Sequence, residues 1–326
     1  VVVAPDKWRG SASAAEIAEV IARVAGELGW TADCAPVSDG GEGFSSVLGG
    51  RAHPQRVRGP LGEPADAAWF ELDDGSTATV EMARASGLAL AGGPRGNDPI
   101  RASTAGTGEL IAAAVKGGAR RVLIGMGGSA TTDGGLGALE ALEPRSRLAG
   151  VDLQVACDVT TGFVAAAAVF SPQKGASPAQ VELLTRRLER LAQVYEERFG
   201  VDVRDLAGAG AAGGLAGGLA AIGAHLIPGF DLVAERIELA ERIEGADLVI
   251  TGEGLLDDQS FHGKTVGGVV ALAGESRVPV VVLAGDSLGE HPVSSRTLVE
   301  SFGEERAWAD PLGALADLTR QVLADR

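Results

Sequence analysis

The feature that most constrains this chain is a repeated local order: a short β-branched run, a polar or glycine-rich turn, then a helix-compatible stretch. Val1-Val2-Val3-Ala4 opens the series and ends at Pro5-Asp6. Ser13 with Glu16 then forms a capping box, in which each residue satisfies a backbone donor of the other. Behind that cap, Ile17, Val20, Ile21, Val24 and Leu28 keep helical spacing. Similar apolar runs recur at 121–126, 151–157, 247–250 and 278–283. This alternation predicts an α/β protein of mostly parallel sheets covered by helices. At 326 residues the chain is too long for one small core, and two domains are expected.

Two segments depart from the pattern. Residues 53–82 alternate in hydrophobicity and contain Asp73-Asp74-Gly75-Ser76, which predicts an antiparallel hairpin near a domain boundary. Residues 207–223 are almost wholly Gly and Ala, yet carry Leu215, Leu219 and Ile222 and no charge. That composition predicts close packing rather than a flexible linker.

Charge excludes some functions. A net charge of −16 argues against nucleic acid, whose binding needs a basic face. An anionic ligand must then be met by local cations. Only Lys7, Lys116, Lys174 and Lys264 are lysines, and three of them lie in the polar, glycine-flanked segments PDKWRGS, SPQKGAS and FHGKT. Cys34 and Cys157 stand far apart without a CxxC or His pairing, which gives neither a zinc site nor a disulfide framework. No apolar run reaches membrane-spanning length, and a soluble cytoplasmic protein is expected. Among the histidines, His53 and His291 read as solvated loop residues and His225 as a structural residue in a helix-compatible stretch.

The chemistry is expected in loops of one style, a carboxylate among glycines after an apolar strand. They are Ser38-Asp39-Gly40-Gly41-Glu42-Gly43, the run from Gly127 to Gly135 that holds Ser129 and Asp133, Cys157-Asp158, and Thr251-Gly252-Glu253-Gly254. Such loops lie at the carboxyl ends of strands, where α/β sheets bind ligands. Their glycines let N–H groups face an oxyanion, and their carboxylates suit Mg²⁺ or proton removal. Ser103-Thr104-Ala105-Gly106-Thr107-Gly108-Glu109 adds a further candidate phosphate turn, with Thr107 as the expected helix cap. With isolated lysines, this is the inventory of phosphoryl transfer. The stretch GEGLLDDQSFHGKT ends like a P-loop but has Asp258 where that motif needs its first glycine, so no Walker loop is present.

In order along the chain stand APDKWRGS, PVSDGGEG, EMARASGL, STAGTGELI, IGMGGSATTDGG, ACDV, VFSPQKGAS, GAGAAGGLAGGL and DLVITGEGLLDDQSFHGK. This ordered set resembles the type I glycerate kinase family over nearly the whole chain. The resemblance implies an ATP-dependent kinase that phosphorylates D-glycerate with Mg²⁺. It also implies two α/β domains, one flavodoxin-like and discontinuous in sequence, with the active site in the cleft between them. We place the boundaries at 1–60 plus 245–326 for the flavodoxin-like domain and 61–244 for the second. Departures are Arg9 for a lysine, Thr132 for an asparagine and Leu255 for an arginine. Two connections, near 142–145 and 158–163, and the C-terminal part are shorter than the resemblance implies. Since Val1 stands without a methionine, omitted residues are expected.

The resemblance implies the following roles. Arg9 and Arg84 bind the substrate carboxylate, with Asp6, Ser11, Ser86 and His262 lining the substrate site. Lys7 and Lys174 supply phosphate charge, and Gly106, Thr107, Gly108, Gly127, Gly128, Ser129, Gly252 and Glu253 form the nucleotide cradle. Asp39, Asp257 and Lys264 are the catalytic set, with Asp39 the favoured base, and Asp133 and Asp158 are the metal pair. Sequence alone does not separate base from metal ligand among these four aspartates. Phosphorylation at O2 is favoured over O3; monomer and homodimer both stay open, and no nucleic acid or membrane partner is expected. The rival readings are a kinase of another small hydroxy acid and a non-catalytic metabolite-binding member of the same fold. A nicotinamide-dependent dehydrogenase fails for want of a dinucleotide fingerprint.

Overall fold

A computed structural model describes residues 1–261, 264–289 and 291–324. The chain divides into two compact units, Val1–Asp39 with Phe230–Arg326, and Gly40–Gly229. The expected cuts at 60 and 245 thus fall elsewhere, for packing reasons. Strand pairing carries residues 51–58 into the second unit, while Phe230 packs with Val2, Ala4 and Val249 in the first.

Thirteen strands are present among the described residues: β1 (Val2–Pro5), β2 (Asp33–Cys34), β3 (Arg51–Arg58), β4 (Pro64–Glu71), β5 (Thr77–Glu81), β6 (Arg121–Gly125), β7 (Asp152–Ala156), β8 (His225–Ile227), β9 (Val249–Gly252), β10 (Leu255–Leu256), β11 (Val280–Ala284), β12 (Asp286–Ser287) and β13 (Ser295–Thr297). The first unit's main sheet runs β13-β11-β9-β1-β2, every pair parallel. Counted within that unit, the order is 2-1-3-4-5, the flavodoxin-like arrangement, and β1 and β9 flank its switch point. Alternate residues of β1 serve opposite faces, as period-two geometry requires. Val1 and Val3 join Ile17, Ile21 and Leu315 in one core, whereas Val2 and Ala4 join Leu239, Ile243 and Val269 in another. The helix Ala14–Glu27 begins at the expected capping box, with Glu16 N–H donating to Ser13 Oγ at 3.2 Å and Ser13 N–H to Glu16 Oε2 at 2.9 Å.

The second unit holds the six-stranded sheet β3-β4-β5-β6-β7-β8. Its first three strands are antiparallel neighbours and its last four parallel. Thus 53–82 forms a meander at one edge, closed between β4 and β5 by Asp74, whose carboxylate accepts from Ser76 N–H and Thr77 N–H. The Gly/Ala stretch is interior: every residue of Ala211–Ala221 is buried. Gly213, at φ +67°, lies so close to Thr131 that a Cβ there would stand 2.0 Å from its carbonyl oxygen. Two histidine readings are corrected. His53 lies within β3, 2.8 Å from Glu71 Oε2 and stacked on Trp69 at 4.0 Å, because the antiparallel register puts it opposite that ring. His225 is in strand β8, not a helix, where it pairs with Gln154 of β7.

Candidate functional site

In the first unit, the carboxyl ends of β1 and β9 sit side by side, tied by Asp6 N–H donating to the Gly252 carbonyl at 2.8 Å. Asp6 is buried, and its Oδ2 accepts from the Thr265 hydroxyl at 2.8 Å. Lys7 reaches both acidic neighbours, with Nζ 3.3 Å from Asp39 Oδ1 and 3.5 Å from Asp6 Oδ1. Burial pushes the Asp6 carboxyl above its ordinary value, with the Lys7 charge pulling the other way. For Lys7, burial works against the charge, but the Asp39 and Asp6 carboxylates outweigh it and raise the ammonium. The group is a compact cation held between two carboxylates at the switch point, where open α/β sheets take ligands.

Glu253 follows directly. Its Oε1 is buried without a hydrogen-bond partner among the described residues, and burial raises its carboxyl. A Ser260 hydrogen bond pulls the other way, and the charges of Asp6, Lys264 and Asp257 also act on it. Asp257 is engaged locally, its Oδ1 accepting from Ser260 N–H at 3.1 Å. Lys264 precedes the helix Thr265–Glu275 and lies 3.4 Å from Gln259 Oε1. Gly252 has a packing reason to be glycine, since a Cβ would stand 1.8 Å from the Leu283 carbonyl oxygen. Arg9 and Ser11 are exposed in the turn closed by the Trp8–Ala12 bridge. His262 lies outside the described residues.

In the second unit, the carboxyl ends of β5, β6 and β7 present Glu81, the 127–129 turn and Asp158. Arg84 Nε donates to Glu81 Oε2 at 3.3 Å, and its guanidinium lies 5.1 Å from the Phe70 ring centre. Glu81 Oε1 in turn accepts from Gly43 N–H at 2.9 Å, fixing the acid–glycine loop. Gly127 packs on Gly41, while Gly128 is exposed at φ +72°. Ser129 Oγ accepts from Lys174 Nζ at 2.7 Å. Lys174 also donates to the Thr131 carbonyl at 2.7 Å and is 3% exposed. Burial pulls its ammonium down to about 7.

Several expectations are corrected here. The helix Ala105–Lys116 is capped at Thr104, not Thr107, because Asp133 Oδ2 accepts from both the Thr104 N–H and its hydroxyl. Thr107 and Ser86 are buried and bonded to each other at 2.8 Å, so neither faces a ligand. Gly106 and Gly108 are glycines because backbone crowds them: a Cβ would stand 1.9 Å from the Arg58 carbonyl oxygen and 2.5 Å from that of Ala138. Asp133 is half-buried, and its oxygens also accept from the N–H groups of Gly135 and Gly137. Four donors thus meet this carboxylate, which makes it a structural cap. Asp158 Oδ1 accepts from Gly229 N–H at 2.6 Å at the end of β7. Among the described residues, no group of three or more His, Cys, Asp or Glu is placed to hold a metal. Reasoning from sequence assigned no role to Glu81, Asn97 or Thr265, although the EMARASGL motif contains Glu81 and the stretch GEGLLDDQSFHGKT ends at Thr265.

Comparison with known proteins follows the same lines. The model of the glycerate kinase family matches residues 1–145 and 143–303, dividing where the connection near 142–145 was expected to be short. A protein of Bacillus subtilis (strain 168) named glycerate kinase is 42% identical over 323 residues, covering 87% of this chain and 84% of its own length. Escherichia coli (strain K12) glycerate 2-kinase is 40% identical over 324 residues, with 87% and 84% covered. A crystal structure from Salmonella typhimurium LT2, described as a candidate glycerate kinase 2, superposes with a TM-score of 0.86. It is 36% identical, and the match covers 99% of this chain and 97% of that one.

Proposed function

The chain belongs to the glycerate kinase family, and from that premise we propose that it transfers the γ-phosphoryl group of ATP to O2 of D-glycerate, with Mg²⁺. The observation that carries the reading is the Asp6–Lys7–Asp39 group at the flavodoxin-like switch point. Choice of O2 rests on the similarity to a glycerate 2-kinase.

Phosphoryl transfer needs little covalent chemistry from the protein, so positioning and charge do most of the work. Asp39 accepts the proton of the attacking hydroxyl as general base. Lys7, a point charge beside it, faces the developing negative charge on the transferred group. Arg9 in the first unit and Arg84 in the second are each candidates for the substrate carboxylate. Arg84 is bonded to Glu81 through Nε, which directs the guanidinium and leaves its two amino groups suited to a bidentate contact. The 127–129 turn receives phosphate oxygens, with Gly128 as its exposed point. Mg²⁺ brought with ATP would supply neutralisation of phosphate charge and would need only one or two protein carboxylates. Asp158 would supply such a carboxylate; Asp133, which meets four donors, is given the structural role.

Incubation with ATP, Mg²⁺ and D-glycerate, followed by phosphorus NMR of the product, tests the reading. 2-Phosphoglycerate is expected. 3-Phosphoglycerate overturns the choice of hydroxyl, and no phosphoglycerate overturns the activity. A panel of other small hydroxy acids checks the substrate, with D-glycerate expected to give the highest kcat/KM.

A further inference from the structure

Lys174 stands in a glycine-flanked segment, SPQKGAS, and is the most deeply buried lysine near a candidate phosphate turn. Its amine is directed inward. Nζ donates to Ser129 Oγ and to the Thr131 carbonyl, both at 2.7 Å, and no carboxylate of the described residues forms an ion pair with it. Both bonds are donated by the amine whether or not it carries its extra proton, and the Asp133 carboxylate acts on it electrostatically.

A second residue completes the arrangement. Asn97 Nδ2 donates to the Ala130 carbonyl at 3.0 Å and to the Lys174 carbonyl at 2.9 Å. Both acceptors are carbonyls, so only the amide's NH₂ side satisfies them, which settles its orientation. Ser129, Ala130 and Thr131 are therefore each held by a polar atom of Lys174 or Asn97. Gly175 makes the approach feasible: at φ +96° it lies against the helical turn Gly93–Gly96, where a Cβ would stand 2.2 Å from the Pro94 carbonyl oxygen. On the opposite side, Leu88 N–H donates to the Gly128 carbonyl and Ala130 N–H to that of Ser86. The turn is thus gripped from two directions, with Gly128 left exposed between them.

We infer that Asn97 and Lys174 form a clamp that fixes the 127–131 turn, and that Lys174 serves nucleotide binding as a positioning residue acting through Ser129, not as a phosphate contact. The inference rests on the reading that this turn receives the phosphates of ATP. Its novelty lies in two roles: Asn97 enters the site's support, and Lys174 leaves the set of direct ligands.

A double-mutant cycle on the full chain tests it, with KM for ATP, KM for D-glycerate and Tm as readouts. Lys174→Met and Ser129→Ala should each raise KM for ATP about tenfold while KM for D-glycerate moves less than about twofold, the tenfold being of the order of one hydrogen bond to a buried polar partner. The double variant should fall short of the product of the single effects, because the two groups act through one bond. Independent, multiplying effects overturn the clamp, since a lysine touching phosphate directly would give them. Equal rises in both KM values with a large fall in Tm also overturn it, as that is plain structural damage. If Ser129→Ala leaves KM for ATP unchanged, the phosphate reading of the turn fails and takes the clamp with it. If Ser129→Ala acts and Lys174→Met does not, the clamp alone fails. Should Lys174→Met not fold, Asn97→Ala removes the clamp's other half and should raise KM for ATP while KM for D-glycerate moves less than about twofold; an unchanged KM for ATP in the folded variant overturns the clamp.

Discussion

Lys7 and Lys174 occupy the same kind of setting in the sequence, a lone lysine in a polar, glycine-flanked segment. Their surroundings are opposite. Lys7 sits between Asp39 and Asp6, which hold its charge in place despite burial. Lys174 is buried against a hydroxyl and a carbonyl, and burial pulls its ammonium down to about 7. One lysine is therefore a fixed cation available to a reaction, the other a hydrogen-bond donor that shapes a turn. Deeper burial of Lys174 and the two carboxylates paired with Lys7 together make the difference, not local sequence.

Three experiments bear on that contrast. The largest effect is expected at Lys7. Lys7→Met leaves Asp6 and Asp39 without their shared cation and should lower kcat/KM by about 100-fold or more, the usual scale for removing a charge that meets a developing anion. Lys7→Arg should recover part of it. Steady-state ADP release checks both, and a near-normal rate for Lys7→Met would erase the distinction between the two lysines.

Next comes the second pair of acids that looks alike in sequence. Asp133 caps a helix with both oxygens, so Asp133→Asn should cost about 1–3 kcal/mol by turning a donor toward donors. The Mg²⁺ dependence of the variant should be unchanged. Denaturant unfolding and a Mg²⁺ titration of activity measure the two quantities; a shifted Mg²⁺ requirement would return Asp133 to the metal site.

The smallest effect is a slope. Lys174 loses its proton near 7 in the native state, while an unfolded lysine keeps it up to its ordinary value of 10.5. Between those limits the unfolded chain binds the extra proton, so stability rises with pH. Relative to Lys174→Met, the wild type should gain about 1 kcal/mol between pH 7 and 8. A flat difference would mean that Lys174 stays charged in the folded protein.

Much of the fold was legible because its signals are local. The capping box at Ser13 and the turn around Asp74 each depend on residues within a few positions of one another. The flavodoxin-like order came instead from the family resemblance, and the pairing of β1 with β9 joins residues far apart in the chain. Site residues were legible as types rather than roles. A glycine is used both where a ligand approaches backbone and where two backbones meet, and only distant neighbours separate the cases. Gly106 and Gly108 belong to the second case because Arg58 and Ala138 press on them. Likewise Ser86 and Thr107 are 21 residues apart, Ser129 and Lys174 are 45 apart, and Asp6 and Thr265 are 259 apart. No local pattern reports bonds of that span.

The turnover of Asp39→Asn at saturating ATP, Mg²⁺ and D-glycerate tests most directly whether the chemistry lies at the Asp6–Lys7–Asp39 group. The substitution keeps the side chain's shape and removes its capacity to take a proton. A fall in kcat of about 100-fold or more, with Tm close to wild type, is the predicted result. A turnover rate equal to wild type in a folded protein would contradict the assignment and move the base elsewhere.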